Sequence, residues 1–556
     1  MKVLFVFFTD PPRAFSSSVA ALSAVVRAAG HDVEALEVSV KGGVADAARS
    51  ICEAGADLVA VSAMTRDWPG ASAVLNQVPP GVFVVVGGYH ATFAPRDVAT
   101  NPRVDAICIG EGERPLRSLL GAIERRKLDP IAGLWLRDVD GFPGEPPDAD
   151  PEPDIARLPN WDYDVFGDMR QILRVGINTF GPHVDAYLPV RASRGCPFRC
   201  AYCSAPAWHR AGNYGDQSMR HLRPVGDLTR ELASLCERYQ PEGFEFWDEH
   251  FPISVDWLQE FAERFPVEVG LPFKVEMHPN AATRERLELL LKAGCSLFHC
   301  GVEAGDEDFR RNVLQRRTRD RDLERVFDDC RALGLPTSAS LMTMLPGERR
   351  EQTLATTALL RKLRPGSFMW STYQPLPGTP LGDAAVANWP GPAASTLDDH
   401  PGYPSRTPAD VSAEEREDTF RELATYQAEL VREASVAAGH RPRPVDIPET
   451  GQRATPELAE LLGVSLGQGS GLRLLSAVWQ QGGLTLELAA PGLEQAQVTL
   501  RAKDGSPCYK ATSHLSIAYR GKQAPPPLLG LLEHLAGRLG AVALDDLARA
   551  FPESGH

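Results

Sequence analysis

No stretch of this chain holds the roughly eighteen consecutive apolar residues that a membrane-spanning helix needs. The apolar start, Met1–Phe8, is cut short by Asp10-Pro11-Pro12, and no small-residue cleavage site follows. A buried first strand is therefore expected there, not a leader. Basic residues are in deficit, 58 Lys and Arg against 73 Asp and Glu, for a net charge of −15. Nucleic acid is a poor partner for such a chain, since phosphate binding needs clustered cations. Ten cysteines in 556 residues are too sparse for a disulfide scaffold. The expected setting is a reducing cytoplasm, with no membrane and no nucleic acid partner. No Gly-x-Gly-x-x-Gly follows the first strand, which disfavours a dinucleotide. Internal repeats and low-complexity tracts are also lacking.

What is present is strand–helix alternation, twice over. Lys2–Phe8, Asp32–Val38 and Ala106–Ile109 read as strands with helical stretches between them, and Leu58–Ala63 and Val82–Val86 are continuous apolar runs. Their continuity fits a parallel sheet buried on both faces, with any ligand beyond the strands' carboxyl ends. From Asp140 to Pro159 the chain is rich in Pro, Gly and Asp, as a linker would be. A second array follows, with strands at Leu188–Ser193, Gly243–Trp247, Phe273–Met277, Leu297–Val302, Thr337–Leu345 and Ser367–Tyr373. Six such units suit a partial barrel better than a closed eight-stranded one. Further on, Ser412–Gly439 reads as one long amphipathic helix. Strands are expected over Leu472–Leu488, Ala496–Lys503 and Ser513–Tyr519, and helices over Pro527–Leu539 and Ala543–Phe551. The expected fold is thus α/β: a doubly wound Rossmann-like sheet (1–139), a linker (140–185), a partial (βα)6 TIM-like barrel (186–385) and a C-terminal α+β domain (386–556).

The sharpest motif opens the second array: Arg194-Gly195-Cys196-Pro197-Phe198-Arg199-Cys200-Ala201-Tyr202-Cys203. Three thiolates on one loop can ligate three irons of a 4Fe–4S cluster and leave the fourth iron open. A structural zinc site closes with four protein ligands, so the alternative is a zinc knuckle that borrows His209 or His221. The Cys-x3-Cys-x2-Cys spacing, with Tyr202 before the last cysteine, resembles the radical S-adenosylmethionine superfamily. That resemblance implies a cluster on Cys196, Cys200 and Cys203, with S-adenosylmethionine on the open iron and its adenine beside Tyr202. It also implies contacts from Trp247, Asp248 and Glu249 after the second strand, and from Glu303 after the fourth. On the third strand, period-two alternation gives Lys274, Glu276 and His278 one face. If that face lines the barrel, Glu276 is a candidate catalytic group that meets S-adenosylmethionine or the cluster; an ion pair with Lys274 or an Arg is the plainer alternative.

A doubly wound domain ahead of such a barrel resembles the cobalamin-binding subclass. The resemblance places cobalamin against three loops: Ser62 with Met64, Thr65 and Arg66; Gly87, Gly88, Tyr89 and His90; and Gly110, Glu111 and Gly112. Glycines there let backbone approach a flat macrocycle closely. The Asp-x-His-x-x-Gly of histidine-ligated cobalamin proteins is missing, since Asp10-Pro11-Pro12-Arg13-Ala14-Phe15 stands in its place. A corrin bound without its own base and without a histidine is expected, with Arg66 a candidate for the cobalt's lower face. A nucleotide-binding or vestigial sheet is the alternative reading.

Within this subclass the usual reaction is methyl transfer from S-adenosylmethionine, by way of cobalamin, to a substrate carbon or phosphorus. The reading is a methyltransferase acting on a peptide or natural-product intermediate, fed by a flavodoxin- or ferredoxin-type electron donor. A cyclase or rearrangement enzyme of the same fold is the first alternative, and a non-catalytic cobalamin or redox sensor the second. A methylthiotransferase would need a second cysteine triad near the N-terminus, where only Cys52 and Cys108 occur.

Overall fold

The computed structural model describes residues 1–8, 15–38, 43–175, 186–213 and 219–387. Beyond these it describes positions 419, 422, 423, 426 and 430, and the strands lying between 473 and 519. The first sheet has six strands: β1 (Lys2–Phe8), β2 (Asp32–Val38), β3 (Leu58–Ser62), β4 (Phe83–Gly87), β5 (Ala106–Cys108) and β6 (Leu134–Leu136). Their order is β2-β1-β3-β4-β5-β6. All pairs are parallel except β5–β6. The order doubles back at β1, so the sheet is doubly wound. Alternation along β1 shows both faces covered. Leu4, Val6 and Phe8 enter one core, and Val3, Phe5 and Phe7 enter the other. Strand β6, too short at three residues to carry a period, has no counterpart among the expected strands and closes the edge beside β5.

The second sheet also has six strands, in the order β14-β13-β12-β11-β10-β7. These are β7 (Tyr187–Val190), β10 (Gly243–Phe246), β11 (Phe273–Glu276), β12 (Cys295–Glu303), β13 (Thr337–Thr343) and β14 (Ser367–Thr372). Each strand lies beside the next in sequence, as repeated βα units of an open TIM-like barrel require. The expected strand Leu188–Ser193 is broken in two. After Val190 the chain turns into a short hairpin of β8 (Ser193–Gly195) and β9 (Met219–Leu222). The break has a visible cause: the Asp248 carboxylate accepts the backbone N–H groups of Ala192 and Ser193, drawing them out of the ladder.

The Pro-rich segment after residue 139 is not all loose chain. Tyr163 is fully buried and donates its hydroxyl to the Pro189 carbonyl at 2.7 Å. Phe15 stacks on it at 5.8 Å and meets Trp161 at 6.2 Å.

Farther along, β15 (Arg473–Gln480), β16 (Gly483–Ala490), β17 (Leu493–Ala502) and β18 (Leu515–Tyr519) form an antiparallel meander. Within the expected stretch Leu472–Leu488 the structure places two strands, β15 ending at Gln480 and β16 beginning at Gly483. Of the helix expected over 412–439, the five described positions between 419 and 430 are helical. The helices expected over 527–539 and 543–551 lie outside the described residues, as does the segment 10–14. Among the described residues, no helix is long and apolar enough to cross a membrane.

Candidate active site

One cavity of about 240 Å³ opens beyond the carboxyl ends of β3, β4 and β5. Ser62, Gly87, Gly88, Tyr89, Gly110, Glu111 and Gly112 line it. Its inner end is an apolar slot among Phe5, Val19, Leu22, Ala60, Val85, Cys108, Leu116, Leu119 and Leu134. Its outer wall belongs to the barrel: Arg191, Arg194, Gly195, Ala205, Trp208, His209 and Glu249. Gly88 has φ +92°, and a Cβ there would sit 3.1 Å from the Ala63 carbonyl oxygen and from Ser62 Oγ. Only glycine lets β4 turn so tightly beside β3.

The other cobalamin candidates point elsewhere. His90 is fully buried, with Nδ1 3.4 Å from Thr65 Oγ1 and Nε2 3.2 Å from Asp97, its ring stacked on Trp68. Thr65 is thereby committed to His90. Arg66 is half-exposed and pairs with Asp67 at 3.4 Å, and Met64 is exposed. None of these four lines the cavity.

The cysteine loop and the first sheet's loops are tied together at the cavity wall. Arg194 places Nη2 2.6 Å from Glu113 Oε1 and Nη1 3.0 Å from Glu111 Oε2. Burial alone would raise the Glu113 carboxyl, but the Arg194 charge and hydrogen bond outweigh it and hold it below the ordinary range. Tyr89 meets Trp208 edge-on at 5.1 Å, bringing the glycine loop after β4 against the helix behind Cys203.

After β10 three residues take three roles. Trp247 packs edge-on against Phe15 at 5.5 Å. Asp248 holds the turn described above, and burial pushes its carboxyl up to about 7. Glu249 accepts the Gly195 N–H at 3.1 Å and faces Arg191 at 3.5 Å. Only Glu249 of the three reaches the cavity.

The loop Cys196–Cys203 is held from below. Phe198 stacks on His278 with centroids 3.6 Å apart, and the Ala201 N–H donates to the Leu314 carbonyl at 2.9 Å. Burial keeps His278 neutral, lowering it to about 2, with Arg316 and His250 adding to the effect. Cys196 and Cys203 are pushed up to about 12 by burial, with the neighbouring Cys200 adding to the effect on both. Cys196 and Cys203, desolvated in this way, stay protonated by themselves. A polycationic iron–sulfur group would take them as thiolates and displace the protons.

Beside them sits Arg316. Its Nη1 lies 3.6 Å from Cys200 Sγ and 3.3 Å from the Tyr202 hydroxyl, and Nη2 donates to the Gly301 carbonyl at 2.7 Å. Its Nε is buried with no acceptor among the described residues. Glu303 approaches Arg316 at 3.9 Å, with its backbone at φ +69°, a costly conformation for a non-glycine residue. Glu276 lies close enough to feel Glu303, Arg316 and Glu245, and burial pushes its carboxyl up to about 7. The expected face of β11 is therefore turned toward the barrel's charged residues. Lys274 lies over the Tyr187 ring at 4.5 Å.

The donor set fits the groups that the sequence pattern implies. Among the described residues, no three His, Cys, Asp or Glu side chains close on a single metal ion. Three cysteine thiols on one loop suit a cluster in which each takes its own iron. The orphaned Arg316 Nε asks for an acceptor beside Cys200, and the apolar slot for a flat, poorly hydrated guest.

Residues 12–120 match the B12 binding domain family, and residues 190–360 match the Radical SAM superfamily. The chain belongs to the cobalamin-dependent radical S-adenosylmethionine enzymes. It is 26% identical over 394 residues to an uncharacterised methyltransferase of Pyrococcus horikoshii, covering 68% of this chain and 79% of that one. It is 28% identical over 354 residues to the anaerobic magnesium-protoporphyrin IX monomethyl ester cyclase of Cereibacter sphaeroides, covering 58% of this chain but only 52% of the cyclase. The radical S-adenosylmethionine methyltransferase TsrM of Kitasatospora setae, solved with tryptophan and an S-adenosylmethionine analogue, shares the fold. Its TM-score is 0.58 at 17% identity, over 78% of this chain and 90% of TsrM. Cobalamin, a 4Fe–4S cluster and S-adenosylmethionine are accordingly this enzyme's cofactors.

Sequence reasoning missed several residues of this cobalamin radical enzyme's cavity. Arg194 stood unremarked beside the cysteine motif. Trp208 lies on the helix after Cys203, where helical spacing could have flagged it, and His209, considered only as a fourth zinc ligand, lies beside it on the cavity wall. Trp161 sat in the expected linker, where a lone aromatic carries no pattern.

Proposed function

We propose that this enzyme moves the methyl group of S-adenosylmethionine, by way of cobalamin, onto a carbon of a peptide or amino-acid-derived natural-product intermediate. The observation that carries the reading is the shared cavity. Its inner wall is built from the glycine loops of the first domain and its outer wall from the segment that follows the cysteine motif. A small acceptor held there would be reached from both halves. Cobalamin supplies methyl carriage when bound, and the cluster supplies one-electron chemistry toward S-adenosylmethionine.

The chain's own residues do the rest. Cys196, Cys200 and Cys203 hold the cluster, with Tyr202 and Glu303 beside it. The loops of Gly87–Tyr89 and Gly110–Gly112 would hold the corrin, and the apolar slot between Leu22, Ala60 and Leu119 would give it a dry, poorly hydrated wall. Arg194, Glu111 and Glu113 keep the two halves in register. Glu276, poised to hold or release a proton near neutrality, orients S-adenosylmethionine or the acceptor. A low-potential donor of the flavodoxin or ferredoxin type feeds the cluster.

The likeness to a cyclase at 28% identity supports a second reading, ring closure without methyl transfer. Substrate turnover with S-adenosylmethionine deuterated in its methyl group separates the two. A methyltransferase yields labelled product in step with S-adenosylhomocysteine. Turnover of the true substrate to an unlabelled product with no added carbon would overturn methyl transfer and leave the cofactor assignment intact.

A further inference from the structure

We propose that Arg316 is a positioning residue that raises the reduction potential of the cluster by directing a fixed positive charge and an N–H group at the Cys200 sulfur. The inference rests on the reading that Cys196, Cys200 and Cys203 hold that cluster.

Geometry supports it from three sides. The guanidinium is almost fully buried, 6% exposed, and its Nη1 points at Cys200 Sγ from 3.6 Å. Its nearest carboxylate, Glu303, stands farther off at 3.9 Å. The charge is therefore incompletely cancelled where it meets the thiolates. Second, the segment is clamped to the cluster loop, because the Leu314 carbonyl accepts the Ala201 N–H at 2.9 Å. Third, Arg310 freezes the loop from within. It is fully buried, donates to the carbonyls of Ala304 and Thr318, and pairs with Asp320. Room for the guanidinium is made by Gly301, where a Cβ would stand 3.0 Å from Nη2.

The consequence is electrostatic. Reduction adds one electron to a cluster already made anionic by its thiolates, and breaks no bond. An arginine never gives up its proton, so its charge stabilises the reduced state more than the oxidised one at every pH. A hydrogen bond to a ligand sulfur acts in the same direction. The electron comes from a low-potential one-electron donor, which in an assay is dithionite acting through mediator dyes.

The test uses the full chain, anaerobically reconstituted, with cluster reduction followed by electron paramagnetic resonance at controlled potential and without S-adenosylmethionine. Arg316→Gln is expected to shift the midpoint to more negative potential at unchanged iron per chain. Arg316→Lys, which keeps the charge and loses the fork, is expected to fall between that variant and the parent. A full cluster with the parent midpoint in Arg316→Gln would overturn the proposal. If that variant holds no cluster, Arg316→Lys decides: a negative shift supports the role, and an unshifted midpoint overturns it. A parent protein that binds no iron would instead overturn the cluster reading itself.

Discussion

Arg194 and Glu113 meet at 2.6 Å across the cavity wall, joining the residue two before Cys196 to the first turn of the helix behind β5. Both side chains are nearly buried, and Glu111 completes the group at 3.0 Å. A charge pair of this kind adds little net stability, but removing one partner strands the other in a dry site.

Arg194→Met is therefore expected to destabilise the folded protein by about 3–5 kcal/mol, as loss of one partner of a buried pair does. Urea unfolding measures this directly. Double replacement with Glu113→Gln should recover part of the loss, because one uncompensated carboxylate is gone. No recovery in the double variant would show that the two residues do not act together.

The same pair predicts an acid limb. Glu113 is held below its unfolded value, so its contribution is complete above the unfolded carboxyl range of about 4.3 and disappears as pH falls through the lower folded value. Glu113→Gln should flatten the stability profile in that acid window and leave its slope near pH 7 unchanged.

Glu276 predicts the opposite sign. Burial raises its carboxyl to about 7, so the folded state holds a proton that the unfolded chain releases near pH 4. Stability of the protein without cofactors should fall as pH rises from about 4.3 to 7, and Glu276→Gln should remove that part of the slope. Parallel pH profiles for parent and variant would mean the carboxyl is not buried as described.

Gly301 has no room for a side chain. A Cβ would stand 2.2 Å from Glu303 Oε1, so Gly301→Ala must push Glu303 and Arg316 away from the cysteines. The expected cost is about 1–3 kcal/mol from overpacking, with impaired iron retention on reconstitution. Iron analysis beside thermal unfolding separates the two effects.

The two cofactor sites should fail independently. Cys196, Cys200 and Cys203 replaced together by Ala should leave almost no bound iron, yet cobalamin should still bind. Ala60→Phe, which fills the apolar slot behind the glycine loops, should weaken cobalamin binding at least tenfold and leave the iron content unchanged. Bound Co(II) should show no nitrogen splitting in its paramagnetic resonance spectrum, since His90 is turned inward.

The chain by itself determined its two strand–helix arrays, because a strand buried on both faces must be continuously apolar, as Lys2–Phe8 and Phe83–Gly87 are. The cysteine loop and the glycine loops were legible as well, because their residues lie close together in sequence. What only the tertiary structure decided are relationships between distant positions. Arg194 meets Glu113, and Arg316 meets Cys200, across 81 and 116 residues respectively. Tyr89 and His90, adjacent on one loop, cannot be told apart by pattern either: His90 turned inward to Thr65 and Asp97, while Tyr89 turned to the cavity. Asp248 and Glu249 divided in the same way: both accept backbone amides, but only Glu249 also reaches the cavity wall. Local periodicity records which face a residue shares, but a charged side chain commits itself to whichever partner the folded chain brings within reach of its hydrogen bonds.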